Sequence, residues 1–262
     1  MPLPLKATLK RGESVLGIWS LIASPTVAEI MGIAGMDFQI LDREHGAYDL
    51  GSLEAGIRTC ESVECSPLVR VSSFSPSEIQ SALDLGAHGI LVPRIASADD
   101  VKAAIACMRY APHGTRGFNP FTRSARYNSP KTEGTRLSDE NILRGIIVEE
   151  KSACEEIDEI LSIADLDLVY VGAYDLSMAL GYAGNVREPQ LVNLIENLVK
   201  KIRKAGKAAG MMVRTKADMD RALAIGATML VWSVDTDLIR LAATGPVDAF
   251  RKKTGSAKHS KK

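Results

Sequence analysis

One pattern recurs four times along this chain: an apolar run at helical spacing, a small residue, then a short apolar run rich in β-formers. It appears in AEIMGIAGMDFQILD, QSALDLGAHGILVP, DEILSIADLDLVYVG and RALAIGATMLVWS. A helix that turns tightly into a strand covered on both faces reads this way, because such a strand has no polar side to show. Val15–Ser20, Pro67–Val71, Gly145–Glu149 and Lys207–Val213 are further strand segments, which makes eight expected strands. Eight strands alternating with helices predict a closed (β/α)8 TIM barrel in the α/β class. An open doubly wound sheet would usually carry a glycine-rich first βα turn, and no G-x-G-x-x-G is present.

The length of 262 residues suits one complete barrel. The expected domain is 1–251, followed by a basic, disordered tail over 252–262. Six of the last twelve residues are Lys or Arg, so residues 1–250 hold 32 acids against 26 bases. An acidic body with a short basic end argues against nucleic-acid binding, since no folded face gathers the positive charge. Cys60, Cys65, Cys107 and Cys154 fall in apparent helices without metal-ligand spacing, which predicts reduced thiols. No run of 18 apolar residues occurs and the N-terminus lacks a long apolar core, so a cytoplasmic protein without a membrane partner is expected.

Helix starts are marked at Ser75-Pro76-Ser77-Glu78, Ser97-Ala98-Asp99-Asp100 and Thr215-Lys216-Ala217-Asp218, where a hydroxyl precedes an acid by three residues. A long helix from about Pro189 to Ala205 stops at Gly206. The stretch 110–141 lacks periodicity, and a loop that long in a barrel is more often a functional lid or an interface than idle chain.

Barrel active sites form at the carboxyl ends of the strands. The charged residues expected there are Asp42-Arg43-Glu44-His45, Arg70, Arg94, Glu149-Glu150 and, beyond Gly172-Ala173-Tyr174, Asp175. Glu149 and Asp175 form a reasonable pair for a hard divalent cation such as Mg2+, Mn2+ or Co2+, which takes oxygen ligands and keeps open positions. Each residue alone has a plainer reading: a strand-end carboxylate is as readily a cap or an ion-pair partner, and Asp175 could cap the helix it begins. Five such groups on one rim are harder to explain as independent caps.

The same residues carry a resemblance that spans about Leu16 to Asp237. Its pieces are Asp42–His45, Val69-Arg70, Ala82 through Asp84 to Ala87 with Leu91-Val92-Pro93, Arg109-Tyr110, Arg116-Gly117, Val148-Glu149, and Gly172 through Asp175-Leu176-Ser177 to Leu180-Gly181. Together they resemble the metal-dependent pyruvate aldolases typified by 4-hydroxy-2-oxoheptanedioate aldolase, within the citrate-lyase-β-like superfamily. The resemblance implies Glu149 and Asp175 as metal ligands and Arg70 as a partner of the enolate oxygen. It implies His45, supported by Asp42, as the acid/base unit, and backbone N–H groups at Gly172, Ala173, Tyr174 and Asp175 as a carboxylate cradle. Asp84 resembles a residue of the neighbouring subunit's site, which implies a homo-oligomer, a hexamer built as a trimer of dimers. The implied partners are a small 2-oxo acid and an aldehyde.

Three positions depart from the family's usual pattern: Arg43 in place of glycine, Arg94 in place of methionine, and Ile147 in place of glutamine. The two arginines add positive charge and are expected to bind an anionic group on the aldehyde. Loop residues including Arg116, Phe118, Phe121, Arg123, Ser124 and Arg126 are expected to help choose the acceptor, and Met212 is either a pocket wall or ordinary core. Two alternatives stay open: a lyase acting on a CoA thioester, and a non-catalytic keto-acid or metal-binding protein.

Overall fold

Eight parallel strands close on themselves in chain order, each paired with its sequence neighbours and the last with the first. The computed structural model describes residues 5–129 and 138–255. The elements run α1 (Leu5–Lys10), β1 (Val15–Ser20), α2 (Pro25–Ile33), β2 (Phe38–Asp42), α3 (Leu50–Ser62), β3 (Ser66–Arg70), α4 (Pro76–Asp84), β4 (Gly89–Val92) and α5 (Ala98–Met108). They continue with α6 (Ser138–Asn141), β5 (Leu143–Val148), α7 (Lys151–Glu155), α8 (Ile157–Leu161), β6 (Leu168–Val171), α9 (Ala173–Ala179) and α10 (Pro189–Lys204). The last are β7 (Ala208–Val213), α11 (Lys216–Ala224), β8 (Met229–Val234) and α12 (Asp235–Thr254). The expected barrel is the observed one.

Strand alternation divides the core in two. Trp19, Phe38, Ile40, Leu68, Leu91, Ile147, Leu168, Tyr170, Met229 and Val231 pack together inside the barrel. Their neighbours in the strands, such as Leu41, Val69, Ile90, Val148 and Val169, pack outward against the helices. Each fully buried aliphatic side chain contributes about 1.5–3 kcal/mol relative to exposure. Gly17 is an interior spacer: a Cβ there would lie 2.3 Å from the Phe38 carbonyl oxygen, so glycine lets the large Phe38 ring fill the centre. At the amino end of the barrel α1 inserts Leu5 and Leu9 into the inner cluster, while Lys6 Nζ pairs with Asp167 at 2.9 Å. That end is sealed, which leaves the carboxyl end as the open face.

Ser97 and Thr215 cap α5 and α11 as expected, each accepting the N–H three residues on. Ser75 does not cap α4; its hydroxyl turns to Ser77, and Glu78 is drawn away to Arg43. Cys65 lies in the turn before β3, outside any helix, and all four cysteines are free. No helix among the described residues is long and apolar enough to cross a membrane.

The carboxyl-terminal helix moves the expected start of the tail. α12 runs through Lys252 and Lys253 to Thr254 and ends at Gly255, which takes the left-handed conformation at φ 64° that glycine supplies to a helix end. The tail therefore cannot begin at 252, and 256–262 lie outside the described residues. α12 also leaves the barrel: only Asp235 is buried, while Ile239, Leu241, Val247 and Phe250 face solvent, Phe250 at 65% exposure. On the side of the barrel α12 fails to cover, Ile30 and Ile33 of α2 and Leu223 of α11 are exposed too.

Candidate active site

The final residues of β2 and β3, Asp42 and Arg70, are register partners, and there the barrel's mouth begins. Arg70 is 7% exposed and its guanidinium is fixed on three sides. Nε donates to Asp42 Oδ1 at 2.9 Å, Nη2 to Asp42 Oδ2, and Nη1 approaches Glu44 Oε2 at 3.0 Å. Its flat face covers the Trp19 ring, 4.5 Å from the centroid. Trp19 is held edge-on to Tyr170 and donates Nε1–H to the Tyr170 hydroxyl at 3.1 Å. Burial works against the charge on Arg70, yet Asp42 and then Glu44 keep its pKa above the ordinary arginine value.

Asp42 is fully buried and accepts from the backbone N–H groups of Glu44 at 2.9 Å and His45 at 3.2 Å. It therefore shapes the loop that presents His45. The expected support of His45 by Asp42 runs through this backbone contact; the His45 ring is exposed and has no hydrogen-bond partner among the described residues.

Glu149 follows β5 directly and is 5% exposed. Its Oε1 accepts the Arg94 backbone N–H at 2.7 Å. Burial pushes the Glu149 carboxyl up to about 7; Asp175 and Glu44 add to the rise, and the Arg94 N–H and Arg70 oppose it. Asp175, in the first turn of α9, is exposed and close enough to be felt electrostatically by Glu149. Gly172 makes room for this pair, because a Cβ there would sit 3.0 Å from Glu149 Cβ and 3.2 Å from its Oε2. Ile147 Cγ2 lies 3.1 Å from the same point, so the floor under Glu149 is apolar. Tyr174 turns its hydroxyl outward to Arg214 at 3.0 Å, leaving its backbone as its contribution here. Met212 is partly buried against the inner cluster with Leu21 and Val234, as an upper wall of the barrel interior.

The four carboxylates Asp42, Glu44, Glu149 and Asp175 outnumber the guanidiniums of Arg70 and Arg94 by two. A divalent cation would neutralise that surplus, and it would reverse the unfavourable burial of Glu149. Among the described residues no three Asp, Glu, His or Cys side chains converge as a closed cation site. The two-carboxylate set, all oxygen and open on one side, fits a hard cation that keeps positions for water or substrate.

Arg43 and Ser124 lie away from this mouth, and so does Asp84, whose expected place is a neighbouring subunit's site. Arg43 adds no charge to the mouth: it is largely covered and paired with Glu78 of α4. Asp84 ends α4 at the opposite, amino end of the barrel, where it accepts from Arg116 Nη2 at 2.8 Å. Ser124 joins it there, donating its N–H to the Asp84 carbonyl at 3.1 Å. The physical reason is topological: the stretch after α5 is an αβ connection, which returns the chain to the start of β5. The described part of that stretch, 110–129, therefore lies away from its own chain's Glu149, and 130–137 lie outside the described residues.

The model of the HpcH/HpaI aldolase/citrate lyase family matches residues 15–242. The chain belongs to the HpcH/HpaI aldolase/citrate lyase family. It is 33% identical over 236 residues to the 2-keto-3-deoxy-L-rhamnonate aldolase of Escherichia coli O17:K52:H18 (strain UMN026 / ExPEC), covering 90% of this chain and 88% of that protein. It is 32% identical over 239 residues to the 4-hydroxy-2-oxo-heptane-1,7-dioate aldolase of Shigella sonnei (strain Ss046), covering 91% of each. Among solved structures, a HpcH/HpaI aldolase/citrate lyase family protein from Burkholderia cenocepacia J2315 superposes with a TM-score of 0.89 at 25% identity, over 94% of this chain and 98% of that one.

An HpcH/HpaI chain with these relatives is a carbon–carbon lyase of the aldolase type. The relatives' names carry different acids, so family membership leaves the acceptor open. The family is generally dependent on a divalent metal. Sequence reasoning had assigned no role to Glu44, which links Arg70 to Arg94, nor to the Trp19–Tyr170 pair beneath Arg70. Glu44 was visible as a charged strand-end residue; Trp19 and Tyr170 read only as core.

Proposed function

We propose that this chain is a divalent-cation-dependent aldolase that joins pyruvate or a similar 2-oxo acid to an aldehyde, or splits the resulting 4-hydroxy-2-oxo acid. The observation that carries this is a buried, triply held Arg70 guanidinium at the same strand-end rim as the Glu149–Asp175 pair. Glu149 and Asp175 are the residues to hold Mg2+, Mn2+ or Co2+. When bound, such a cation supplies Lewis-acid stabilisation for negative charge on the enolate oxygen of the 2-oxo acid.

Arg70 faces the same charge, and because Asp42, Glu44 and Trp19 already fix it, little reorganisation is needed as that charge develops. The first-turn N–H groups of α9, at Ala173, Tyr174 and Asp175, lack acceptors within the helix and suit the carboxylate of the 2-oxo acid. Enolisation breaks one C3–H bond of the 2-oxo acid, the proton leaving to water at the open mouth; C3 then bonds to the aldehyde carbon, and the aldehyde oxygen takes up one proton to become a hydroxyl. His45, exposed and with a free ring, is the group to give that oxygen its proton, or to remove it in cleavage, directly or through water.

The homo-oligomer belongs to the same proposal. A projecting α12 with an apolar face, and an uncovered apolar strip on α2 and α11, are complementary in kind, so a second copy can fill what the first leaves bare. Asp84, remote from its own chain's site, is then available to a neighbour's, as in a hexamer of three dimers.

Cleavage of 4-hydroxy-2-oxoheptanedioate, read as pyruvate released to lactate dehydrogenase, tests the reading. Protein stripped with a chelator is expected to be inactive and to recover with Mg2+, Mn2+ or Co2+. Equal pyruvate release with and without the cation overturns it.

A further inference from the structure

The site's rim also carries a guanidinium end that nothing in the enolate chemistry uses. We propose that Arg94 determines acceptor specificity by receiving the negatively charged end, carboxylate or phosphate, of a short aldehyde. The inference rests on the aldolase reading above and names the acceptor class for it.

Arg94 follows β4 and takes a left-handed backbone conformation, φ 55°, that a side chain with a Cβ rarely adopts. That conformation brings its N–H onto Glu149 Oε1 at 2.7 Å. The same residue thus touches the reaction centre with its backbone and leaves its side chain at the mouth, 68% exposed. The guanidinium is steered by one bond, from Nε to Glu44 Oε1 at 2.9 Å. Neither Nη1 nor Nη2 has a partner among the described residues, so the end-on fork that matches a carboxylate or phosphate is unspent.

Among the described residues, the other arginines near this mouth already have partners. Arg70 is taken by Asp42 and Glu44, Arg43 by Glu78, and Arg214 by the Tyr174 hydroxyl and Asp237. An anionic acceptor entering a rim lined by Glu44, Glu149 and Asp175 needs a local positive group to offset repulsion, and Arg94 is positioned to supply it. An aldehyde whose carbonyl lies beside Glu149 would place its far end, a few bonds away, within reach of a side chain anchored on that same carboxylate.

The test compares matched acceptors, with pyruvate and Mn2+ saturating. One pair is succinic semialdehyde against butanal; the other is glyceraldehyde 3-phosphate against glyceraldehyde. In Arg94→Met the anionic-to-neutral ratio of kcat/KM is expected to fall about tenfold, the scale of one lost charge-assisted hydrogen bond. Arg94→Lys, which keeps the charge and loses the fork, is expected to give an intermediate ratio. A fall in only one pair identifies carboxylate or phosphate as the natural end group. Equal losses for charged and neutral members in both pairs would make Arg94 merely a prop for Glu44 and overturn the inference. Deuterium exchange into the pyruvate methyl of the unmodified protein separates the two levels: exchange with an unmoved ratio sinks this inference alone, and no exchange sinks the aldolase reading with it.

Discussion

Arg70 and Asp42 end adjacent strands at the same register, and Arg70 Nε lies 2.9 Å from Asp42 Oδ1, with Asp42 fully buried and Arg70 nearly so. A buried pair of this kind is costly to break from one side, because the remaining charge stays in a low-dielectric place without its partner. Here the pair also orients the guanidinium, so stability and catalysis are coupled through one contact.

Asp42→Ala is therefore expected to lower unfolding stability by about 3 kcal/mol, measured by urea denaturation. The same substitution frees the Glu44 and His45 N–H groups, so kcat is expected to fall more than the substrate's KM rises. A variant with native stability would contradict the burial argument.

Gly172→Ala tests the tight approach of α9 to Glu149. The added methyl would meet Glu149 Cβ at 3.0 Å and Ile147 Cγ2 at 3.1 Å, so Glu149 has to shift by a few tenths of an ångström. The expected result is a folded protein whose Mn2+ affinity, by isothermal titration calorimetry, drops about tenfold, since ligand geometry and second contacts are worth that much at metal sites. Unchanged affinity would remove Glu149 from the ligand set.

Trp19→Phe removes the N–H that holds the Tyr170 hydroxyl but keeps a ring under Arg70. A loss of about 1 kcal/mol in stability is expected for one buried hydrogen bond, together with a smaller fall in kcat than Asp42→Ala produces. A larger catalytic effect than that of Asp42→Ala would mean that the ring pair, not the carboxylates, sets the position of Arg70.

Phe250→Asp addresses assembly. The residue is 65% exposed on a helix that leaves its own barrel, and a charge there should block a hydrophobic contact with a second copy. Light scattering is expected to show a multiple of the 28.2 kDa chain for the unmodified protein and a shift toward that mass for the variant. A monomer in both cases would contradict the proposed homo-oligomer.

The barrel was legible because each inner strand, covered on both faces, has to be largely apolar along its length, as Leu168–Val171 is. Strand-end charges such as Arg70 and Glu149 were legible for the complementary reason: a polar residue at the end of an apolar run sits where the barrel opens. The directions of loop side chains were not. Arg43 and Arg94 look alike in sequence, yet Arg43 is claimed by Glu78 from another element while a left-handed turn leaves Arg94 at the mouth. The placement of Asp84 and Ser124 at the far end follows from counting αβ and βα connections, which the motif alone does not do.

The most direct measurement is exchange of the pyruvate methyl protons for deuterium, followed by NMR in heavy water, first with chelator-treated protein and then with added Mg2+, Mn2+ or Co2+. Exchange that appears only with the cation, and is lost in Glu149→Ala and strongly slowed in Arg70→Lys, is the predicted result. Exchange at the same rate without the cation, or none with any of the three, would contradict enolate formation at the Glu149–Asp175–Arg70 site.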